Sequence, residues 1–335
     1  MATYKGIKGQ TVSSQASDPA SADDTGLLYY NTASGTFKVV LDGGAPIGAW
    51  STGGSMATGR TEIGSAGSQT KALAMGGNMP SPAWSALTEQ YNGTAWAEVA
   101  TLNTPRRTAG GLGTGSAALC LGAGEAPDFA SHVEEWNDTA WSTVASLPAV
   151  RGYTPCGTGS VTAGLCFGGS TTPNHATLLV EKWNGTGWTE AANVNTARRF
   201  ATGCGTAAAT LFMGGDPGPG QLAEEYNGTG WSNKTDTNNQ HDYTGSSGTT
   251  TTATIYGNST GVTPTSQYTE GWNGSSWTEV ADFSQSHGSA GTTRTSASAA
   301  AYFAGYGAGV PPGNKGGSCE EWSYGDYAVQ TVTTS

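Results

Sequence analysis

The sequence predicts an all-β protein, a six-bladed β-propeller with a short N-terminal β-hairpin extension, and three observations predict it. One aromatic hairpin phrase recurs six times at intervals of 43 to 50 residues, within the range of four-stranded propeller blades. Only 36% of the residues are hydrophobic while glycine fills 52 positions, which is typical of many short strands and tight turns. The 11 Trp and 13 Tyr residues provide enough apolar area to offset the ordering of so polar a chain.

The first segment, residues 1–46, lies outside the repeat. Two strand-like runs flank the phrase Asn31-Thr-Ala-Ser-Gly35, which predicts a hairpin. Because a lone hairpin is marginal in water, we expect it to lean on the propeller, another subunit or a partner, and we assign residues 1–46 as an attachment or oligomerisation segment. Residues 47–335 are predicted to form the propeller.

Each repeat contains four strand-like runs in a constant order. A small-residue inner strand, such as residues 107–113, precedes an apolar strand that ends in glycine, such as residues 119–123. A third strand carries a glutamate and an aromatic residue, and a short turn leads to an outer strand that begins with tryptophan in the first five repeats. In four of these turns an Asn-Gly pair predicts a two-residue turn with positive φ at both positions.

Ring closure is predicted from a phrase outside the repeats. Residues 48–52 match the outer strand around Trp141, yet they precede the first repeat. We therefore expect the strand of Trp50 to join the last blade, leaving residues after Tyr327 as an edge or tail of that blade.

Two charged positions recur in register. A glutamate stands two residues before each leading aromatic residue: Glu89, Glu134, Glu181, Glu224, Glu270 and Glu320. A basic or titratable group stands ten residues after each outer tryptophan: Arg60, Arg106, Arg151, Arg198, His241 and His287. Because a buried carboxylate costs several kcal/mol unless it is paired, we interpret the two sets as a structural clamp between blades. The alternative is an anion-binding rim or a general-acid constellation.

Motifs for catalysis and cofactors are absent from the sequence. The four histidines fall in separate repeats and the five cysteines form no CxxC pair, so no metal site, cofactor or disulfide is predicted and the thiols are expected to be free and buried. No nucleophile elbow, phosphate loop or dinucleotide fingerprint is present in a suitable setting, so no catalytic residue is assigned.

The segments that join the second and third strands differ between repeats, and recognition usually resides in such loops. Their binding candidates are Trp84, Phe129, His175 and Asp216. The net charge of −11 argues against nucleic acid and membrane partners. The sequence shows neither a signal peptide nor an apolar stretch long enough for a membrane helix, so we expect synthesis in a host cytoplasm without export.

The repeat resembles the Kelch repeat. The Pro-Arg start at residues 105–106, the strand ending Gly-Ala at residues 122–123, and the spaced aromatics Trp136 and Trp141 match its pattern. The phrase Leu28-Tyr-Tyr-Asn-Thr32 is similar to the leaders of tail-fibre and other virion proteins of tailed bacteriophages, and the Trp-Asn-Gly-Thr-x-Trp repeats are similar to Kelch-like virion proteins of marine phages.

These resemblances imply a non-enzymatic structural protein on the virion exterior. It would act as a fibre, receptor-binding or decoration component, attached to other virion proteins through residues 1–46. Its propeller loops would bind a host-surface glycan or protein, or neighbouring virion proteins, and the chain could form homo-oligomers. The alternatives are a cellular Kelch-like interaction scaffold and a carbohydrate-active enzyme.

Overall fold

The structure is a computed structural model. It describes residues 13–15, 28–33, 36–40, 48–79, 84–124, 129–172, 175–258, 266–284, 287–307, 316–324 and 329–331. The regular secondary structure of these residues is entirely β, so the all-β prediction is confirmed. No helix in the described part of the chain is long and apolar enough to cross a membrane.

The chain divides into two compact units, Met1–Ala49 with Tyr324–Ser335, and Trp50–Ser323. The first unit contains one four-stranded sheet. In sheet order its strands are Ser13–Gln15, Leu28–Asn31, Thr36–Val40 and Val329–Thr331.

The predicted N-terminal hairpin is present in the first unit, with Asn31 paired to Thr36. The predicted role of the C-terminal residues is wrong, because Val329–Thr331 pairs with Thr36–Val40 instead of extending the sixth blade. This pairing joins opposite ends of the chain, and a local hydrophobic pattern carries no information about such a distant partner.

The propeller consists of six four-stranded sheets, called blades 1 to 6 in chain order. From the inner to the outer strand, blade 1 comprises Gly64–Ser68, Lys71–Met75, Thr88–Tyr91 and Trp96–Val99; blade 2 Gly110–Gly113, Ala118–Ala123, Ala130–Trp136 and Trp141–Val144; and blade 3 Cys156–Ser160, Ala163–Phe167, Val180–Trp183 and Trp188–Glu190. Blade 4 comprises Thr202–Thr206, Ala209–Met213, Ala223–Tyr226 and Trp231–Asn233; blade 5 Gly245–Gly248, Ala253–Asn258, Ser266–Trp272 and Trp277–Glu279; and blade 6 Gly291–Thr292, Ala299–Phe303, Cys319–Tyr324 and Gly48–Thr52. Short two-stranded pairs also form between Ser170–Thr172 and His175–Ala176, and between His287–Gly288 and Tyr306–Gly307.

The six inner strands form a closed circle. Each contacts the inner strand of the next blade, and that of blade 6 contacts that of blade 1. The outer strand of blade 6 is Gly48–Thr52, beside Cys319–Tyr324, and the Gly53 amide continues the contact by donating to the Cys319 carbonyl at 2.8 Å. The predicted six-bladed propeller and its closure by the strand of Trp50 are therefore confirmed.

The hydrophobic core lies between neighbouring blades. Trp96 of blade 1 packs on Phe303 of blade 6, with ring centroids 4.5 Å apart. Leu73 and Met75 of blade 1 share a buried cluster with Trp141 of blade 2. A strand pair that is too small and polar to form its own core thus buries its apolar face against the next blade.

The hairpin turns differ from the predicted two-residue turn. In blade 1, Tyr91 pairs with Trp96, which leaves four residues in the turn. Gly93 has a φ of +92°, whereas Asn92 has no positive φ and acts through its side chain. Its Oδ1 accepts hydrogen bonds from the amides of Thr94 and Ala95 at 3.0 and 2.9 Å. The asparagine therefore stabilises the turn through its side chain, which accepts hydrogen bonds from the backbone amides of the turn.

Candidate functional site

The recurrent acidic and basic residues form buried pairs. The structure pairs Arg60 with Glu89, Arg106 with Glu134, Arg151 with Glu181, Arg198 with Glu224 and His241 with Glu270. The first, fourth and fifth pairs are 3.0, 2.9 and 3.0 Å long. The side chain of His287 lies outside the described residues, while Glu320 accepts from the amide of Ser284 at 3.0 Å.

Five of the glutamates also hold the connector that arrives from the preceding blade, by accepting from its backbone amides: Glu89, Glu134, Glu224, Glu270 and Glu320. Glu134, in the third strand of blade 2, accepts from the backbone amides of Asn103 and Thr104 at 2.7 and 3.2 Å, besides the guanidinium of Arg106. Arg106 also donates to the carbonyl of His132 at 3.1 Å. The carboxylate and the guanidinium therefore satisfy each other and the connector backbone, which a buried ion pair requires.

The backbone of the same arginines reaches the neighbouring blade. The amide of Gly77 in blade 1 donates to the carbonyl of Arg106 at 2.8 Å, and the amide of Gly305 in blade 6 donates to that of Arg60 at 2.9 Å. A Cβ at Gly76 would lie 2.5 Å from the Arg106 carbonyl oxygen, so this close approach requires glycine. The arrangement is a clamp: the arginine side chain binds its own blade and its backbone binds the preceding one.

Two clamp carboxylates differ in their electrostatics. Burial raises the pKa of Glu181, against the opposing charge of Arg151. Burial also acts to raise the pKa of Glu270, but hydrogen bonds from His241 and from the amides of Asn238 and Asn239 outweigh it and the pKa is lowered. Extensive hydrogen bonding to the charged form explains the lowered pKa.

A ring of backbone hydrogen bonds encircles the propeller axis where the inner strands begin. The amides of Glu62, Thr108, Thr154, Phe200, Tyr243 and Ser289 donate in turn to the carbonyls of Ser289, Glu62, Thr108, Tyr153, Phe200 and Tyr243, at 2.7 to 3.3 Å. These six donors are non-glycine residues with φ between 50° and 58°. Such a conformation costs about 1–3 kcal/mol per residue and tends to persist at functional sites. The end of the propeller that carries this ring is called the upper face.

The upper face also holds the loops between second and third strands, because antiparallel strands bring those loops to the end where the inner strands begin. Near the ring there is an aromatic row, Phe129, Tyr153, Phe200 and Tyr243. Successive ring centroids are 5.4, 5.2 and 3.9 Å apart, and the last pair is stacked. The row crosses from blade 2 to blade 5, with Phe200 buried and Phe129, Tyr153 and Tyr243 partly exposed.

Arg199 lies against the aromatic row. Its guanidinium carbon is 4.9 Å from the ring centroid of Tyr153 and 5.3 Å from that of Phe200. It also pairs with Asp216, whose Oδ2 is 2.9 Å from Nε. A guanidinium held between aromatic rings and a half-exposed carboxylate is a preorganised donor for an incoming polar ligand.

A second cluster lies on the same face in blades 1 and 2. The guanidinium carbon of Arg107 is 5.6 Å from the ring centroid of Trp84, and its Nη1 is 3.9 Å from Oε2 of Glu62. Glu62 also accepts from Nδ2 of Asn78 at 3.2 Å. This cluster reaches the aromatic row through the backbone ring.

Two acids of the upper face interact electrostatically. Burial raises the pKa of Asp242, and the charge of Asp216 raises it further.

The four predicted binding residues therefore do not all lie in one cluster of the upper face. Phe129 and Asp216 belong to the aromatic row and to its arginine, and Trp84 lies in the second cluster. His175 is exposed and pairs only with Thr172 in a short hairpin. The structure thus brings two of the four together and places the third nearby.

The sequence reasoning missed Arg107, Arg199, Tyr153, Phe200 and Tyr243. These residues stand one or two positions after the clamp residue of their repeat, where sister repeats carry Thr61, Gly152 or Ser289. The signal available in the sequence was that residue type varies between repeats at these positions, directly after the recurrent clamp residue. Its meaning depends on the backbone ring, which no local pattern reveals.

Comparisons with known proteins support the fold. No protein-family model matches this chain, and neither does any curated protein. Among solved structures, the one titled "Structure of YjhT" is similar, with a TM-score of 0.66 and 12% sequence identity. The match covers 83% of this chain and 99% of that chain. At this identity the likeness concerns the propeller fold alone.

Proposed function

We propose that this chain is a non-enzymatic binding module on the exterior of a bacteriophage virion, and that it binds its ligand through the upper face. The observation that carries the proposal is the aromatic row with Arg199 beside it. Tyrosine and arginine are enriched among the residues that dominate binding energy. The row rests on the rigid clamp and ring, so few degrees of freedom are lost on binding.

The virion assignment rests on the sequence resemblances to Kelch-like virion proteins and to tail-fibre leaders. In this proposal the first unit attaches the chain to other virion proteins, and the propeller is presented to a host-surface glycan or protein. A mass-spectrometric search of purified tailed-phage particles for peptides of this chain tests the assignment. Detection at a stable ratio to the major capsid protein supports it, and recovery only from the cellular fraction supports a cellular interaction scaffold.

The binding activity is tested separately with the full chain on a glycan array and on host cell surfaces. Arg199→Ala removes the cation from the aromatic row, so we expect it to weaken binding about tenfold or more, the effect of a lost charge-assisted contact. Lys71→Ala is the matched control, since Lys71 begins the second strand at the opposite end of blade 1 and its side chain is 39% exposed. Equal binding by wild type and Arg199→Ala would contradict the assignment of this face.

A carbohydrate-active enzyme is the second candidate, and the raised pKa of Asp242 favours it. Burial and a neighbouring carboxylate are the means by which the pKa of a general acid is raised. Analysis of the array supernatant for released saccharide distinguishes the two. Release that is abolished in Asp242→Asn while binding persists establishes catalysis, and binding without release establishes the binding module.

A further inference from the structure

An arginine replaces a recurring glycine at the lower end of the propeller axis, opposite the upper face. Five inner strands end in a glycine with positive φ, or have one at the fourth strand position: Gly67, Gly113, Gly159, Gly205 and Gly248. In blade 6 the corresponding residue is Arg294, which is two residues beyond Thr292 and has no positive φ. One side chain therefore projects from a circle in which the other five blades have none.

The side chain of Arg294 reaches across the axis. Its Nη1 donates to the carbonyl of Gly203 in blade 4 at 2.9 Å, while its backbone amide donates to Gly67 of blade 1 at 3.2 Å. The residue lines a cavity of about 220 Å³. Thr158 and Thr206 lie in the same wall, together with glycine backbone from blades 2 to 5.

The cavity is larger than the space that residues of the backbone ring line on the upper face. Within the backbone ring of the upper face the free volume is about 20 Å³, which holds about one water molecule. The lower cavity is more than ten times larger. The lower cavity therefore has room for a solute of several heavy atoms, whereas the space within the ring does not.

Arg294 differs from the other arginines in the charges that surround its guanidinium. The other six arginines each have a carboxylate within 4.0 Å: Arg60, Arg106, Arg107, Arg151, Arg198 and Arg199. Within the described part of the chain, Arg294 has no carboxylate at that distance, and its buried Nε has no hydrogen-bond acceptor. The walls of the cavity contain no acidic residue.

A half-buried cation without a counter-charge is costly, and an anion from solution removes that cost. The guanidinium presents donors in a planar fork that matches tetrahedral and planar oxyanions. Thr206 adds a hydroxyl whose oxygen already accepts from the Ala209 amide at 3.2 Å, so that its proton can be donated towards the cavity. The chain carries a net charge of −11. The protein as a whole therefore repels anions, and anion binding would depend on the local charge of Arg294.

We propose that the lower axial cavity is a binding site for a phosphate-like oxyanion, with Arg294 as its principal ligand. This site is separate from the upper face and does not depend on the function proposed for it. A free anion and the phosphate of a larger ligand share this chemistry, and the cavity admits the anion itself.

The experiment is isothermal titration of the full chain with inorganic phosphate at low ionic strength in a chloride buffer. Wild type is expected to bind one phosphate per chain. Arg294→Gln keeps a donor for the Gly203 carbonyl but removes the charge, and it is expected to weaken binding about tenfold or more. Lys71→Gln removes the same charge from an exposed site and is expected to bind as wild type does.

Folding of each variant is checked by its thermal midpoint. A second variant, Arg294→Gly, restores the residue of the five sister repeats and should fold while losing phosphate binding. Titration with glucose 6-phosphate distinguishes the sources: binding of free phosphate alone supports an anion site, and equal binding of both supports a site open to larger phosphorylated ligands. The proposal is wrong if wild type binds no phosphate, or if Arg294→Gln binds it as tightly as wild type.

Discussion

The indole Nε1 of Trp50 donates to Oγ1 of Thr269 at 3.1 Å. Trp141 makes the same bond to Thr88 at 3.0 Å, from the outer strand of blade 2 to the third strand of blade 1. Trp50, in the outer strand of blade 6, thus contacts blade 5 as Trp141 contacts blade 1. The strand of Trp50 precedes all six repeats in the chain. It nevertheless makes the contact between blades 6 and 5 that the outer strand of a repeat makes elsewhere.

Trp50→Ala is expected to destabilise the propeller by about 3 kcal/mol, because it removes this bond and a large aromatic contact area. Trp50 packs on Phe283 and Trp322 with ring centroids 4.1 and 5.3 Å apart. Urea unfolding measures the loss, and Trp141→Ala is the matched variant. A negligible loss in Trp50→Ala beside a large one in Trp141→Ala would show that the closing strand does not hold the ring.

Glu134→Gln is expected to cost about 3–5 kcal/mol of unfolding free energy, because the buried guanidinium of Arg106 loses its counter-charge. Asp138→Asn is the control, since Asp138 pairs with Lys71 where both side chains are about 40% exposed. Exposed pairs contribute about 1 kcal/mol or less. Equal losses in the two variants, measured by chemical denaturation, would contradict the clamp.

Acid stability should depend on Glu270. Its pKa is lowered in the folded state, so between the folded and unfolded values the unfolded chain binds more protons and stability rises with pH. The contribution is present above the unfolded value, about 4.3, and is lost as the pH falls through the folded pKa. The stability difference between wild type and Glu270→Gln should therefore be largest near neutral pH and shrink below about pH 4.

Urea unfolding from pH 7 down to pH 3 measures this difference. Glu279→Gln, an exposed glutamate in the adjacent strand, removes the same formal charge without removing buried hydrogen bonds. A constant difference between wild type and Glu270→Gln across the range would refute the prediction.

The five cysteines are free and buried, as predicted. Burial raises the pKa of the Cys120 thiol to about 11 and that of Cys204 to about 12. Because the thiolate is the reactive form, Ellman's reagent at pH 8 should detect no thiol in the native protein and five in guanidinium chloride. Rapid reaction of any native cysteine would show that the blade interfaces open.

The aromatic row should be sensitive to Gly152. A Cβ at this position would lie 2.2 Å from Cδ1 of Phe129, so Gly152→Ala must displace the ring. We expect weaker ligand binding at the upper face, together with a loss of stability of about 1–3 kcal/mol, the usual cost of overpacking. Phe129→Ala removes the ring without overpacking and should weaken binding by a similar factor, whereas full binding by both variants would remove Phe129 from the site.

Much of the fold could be predicted from residues that recur. Glu134 and Arg106 stand at repeat positions that are acidic and basic in sister repeats, and this register predicted a pair that the structure contains. Trp50 lies in a phrase that matches the outer strand around Trp141, which predicted the closing strand. Repetition supported both predictions, because equivalent positions in each blade make equivalent contacts with the neighbouring blade.

The candidate site could be predicted only in part. Phe129 and Asp216 were found because they lie in variable loops, whereas Phe200 and Arg199 were missed because they follow a clamp residue directly. Their placement in the aromatic row depends on the positive φ of the ring residues, which non-glycine side chains adopt only under tertiary constraint.

By itself, the sequence determined the unit that repeats, the number of blades and the acid–base pairs of blades 1 to 5, since these depend on short-range patterns that recur along the chain. The tertiary structure alone decided which single residues meet where the symmetry is broken. Tyr153 and Phe200 become neighbours, and Arg294 reaches Gly203, only when the ring closes. The physical reason is that contacts across an axis join residues far apart in the chain, and no local preference encodes that distance.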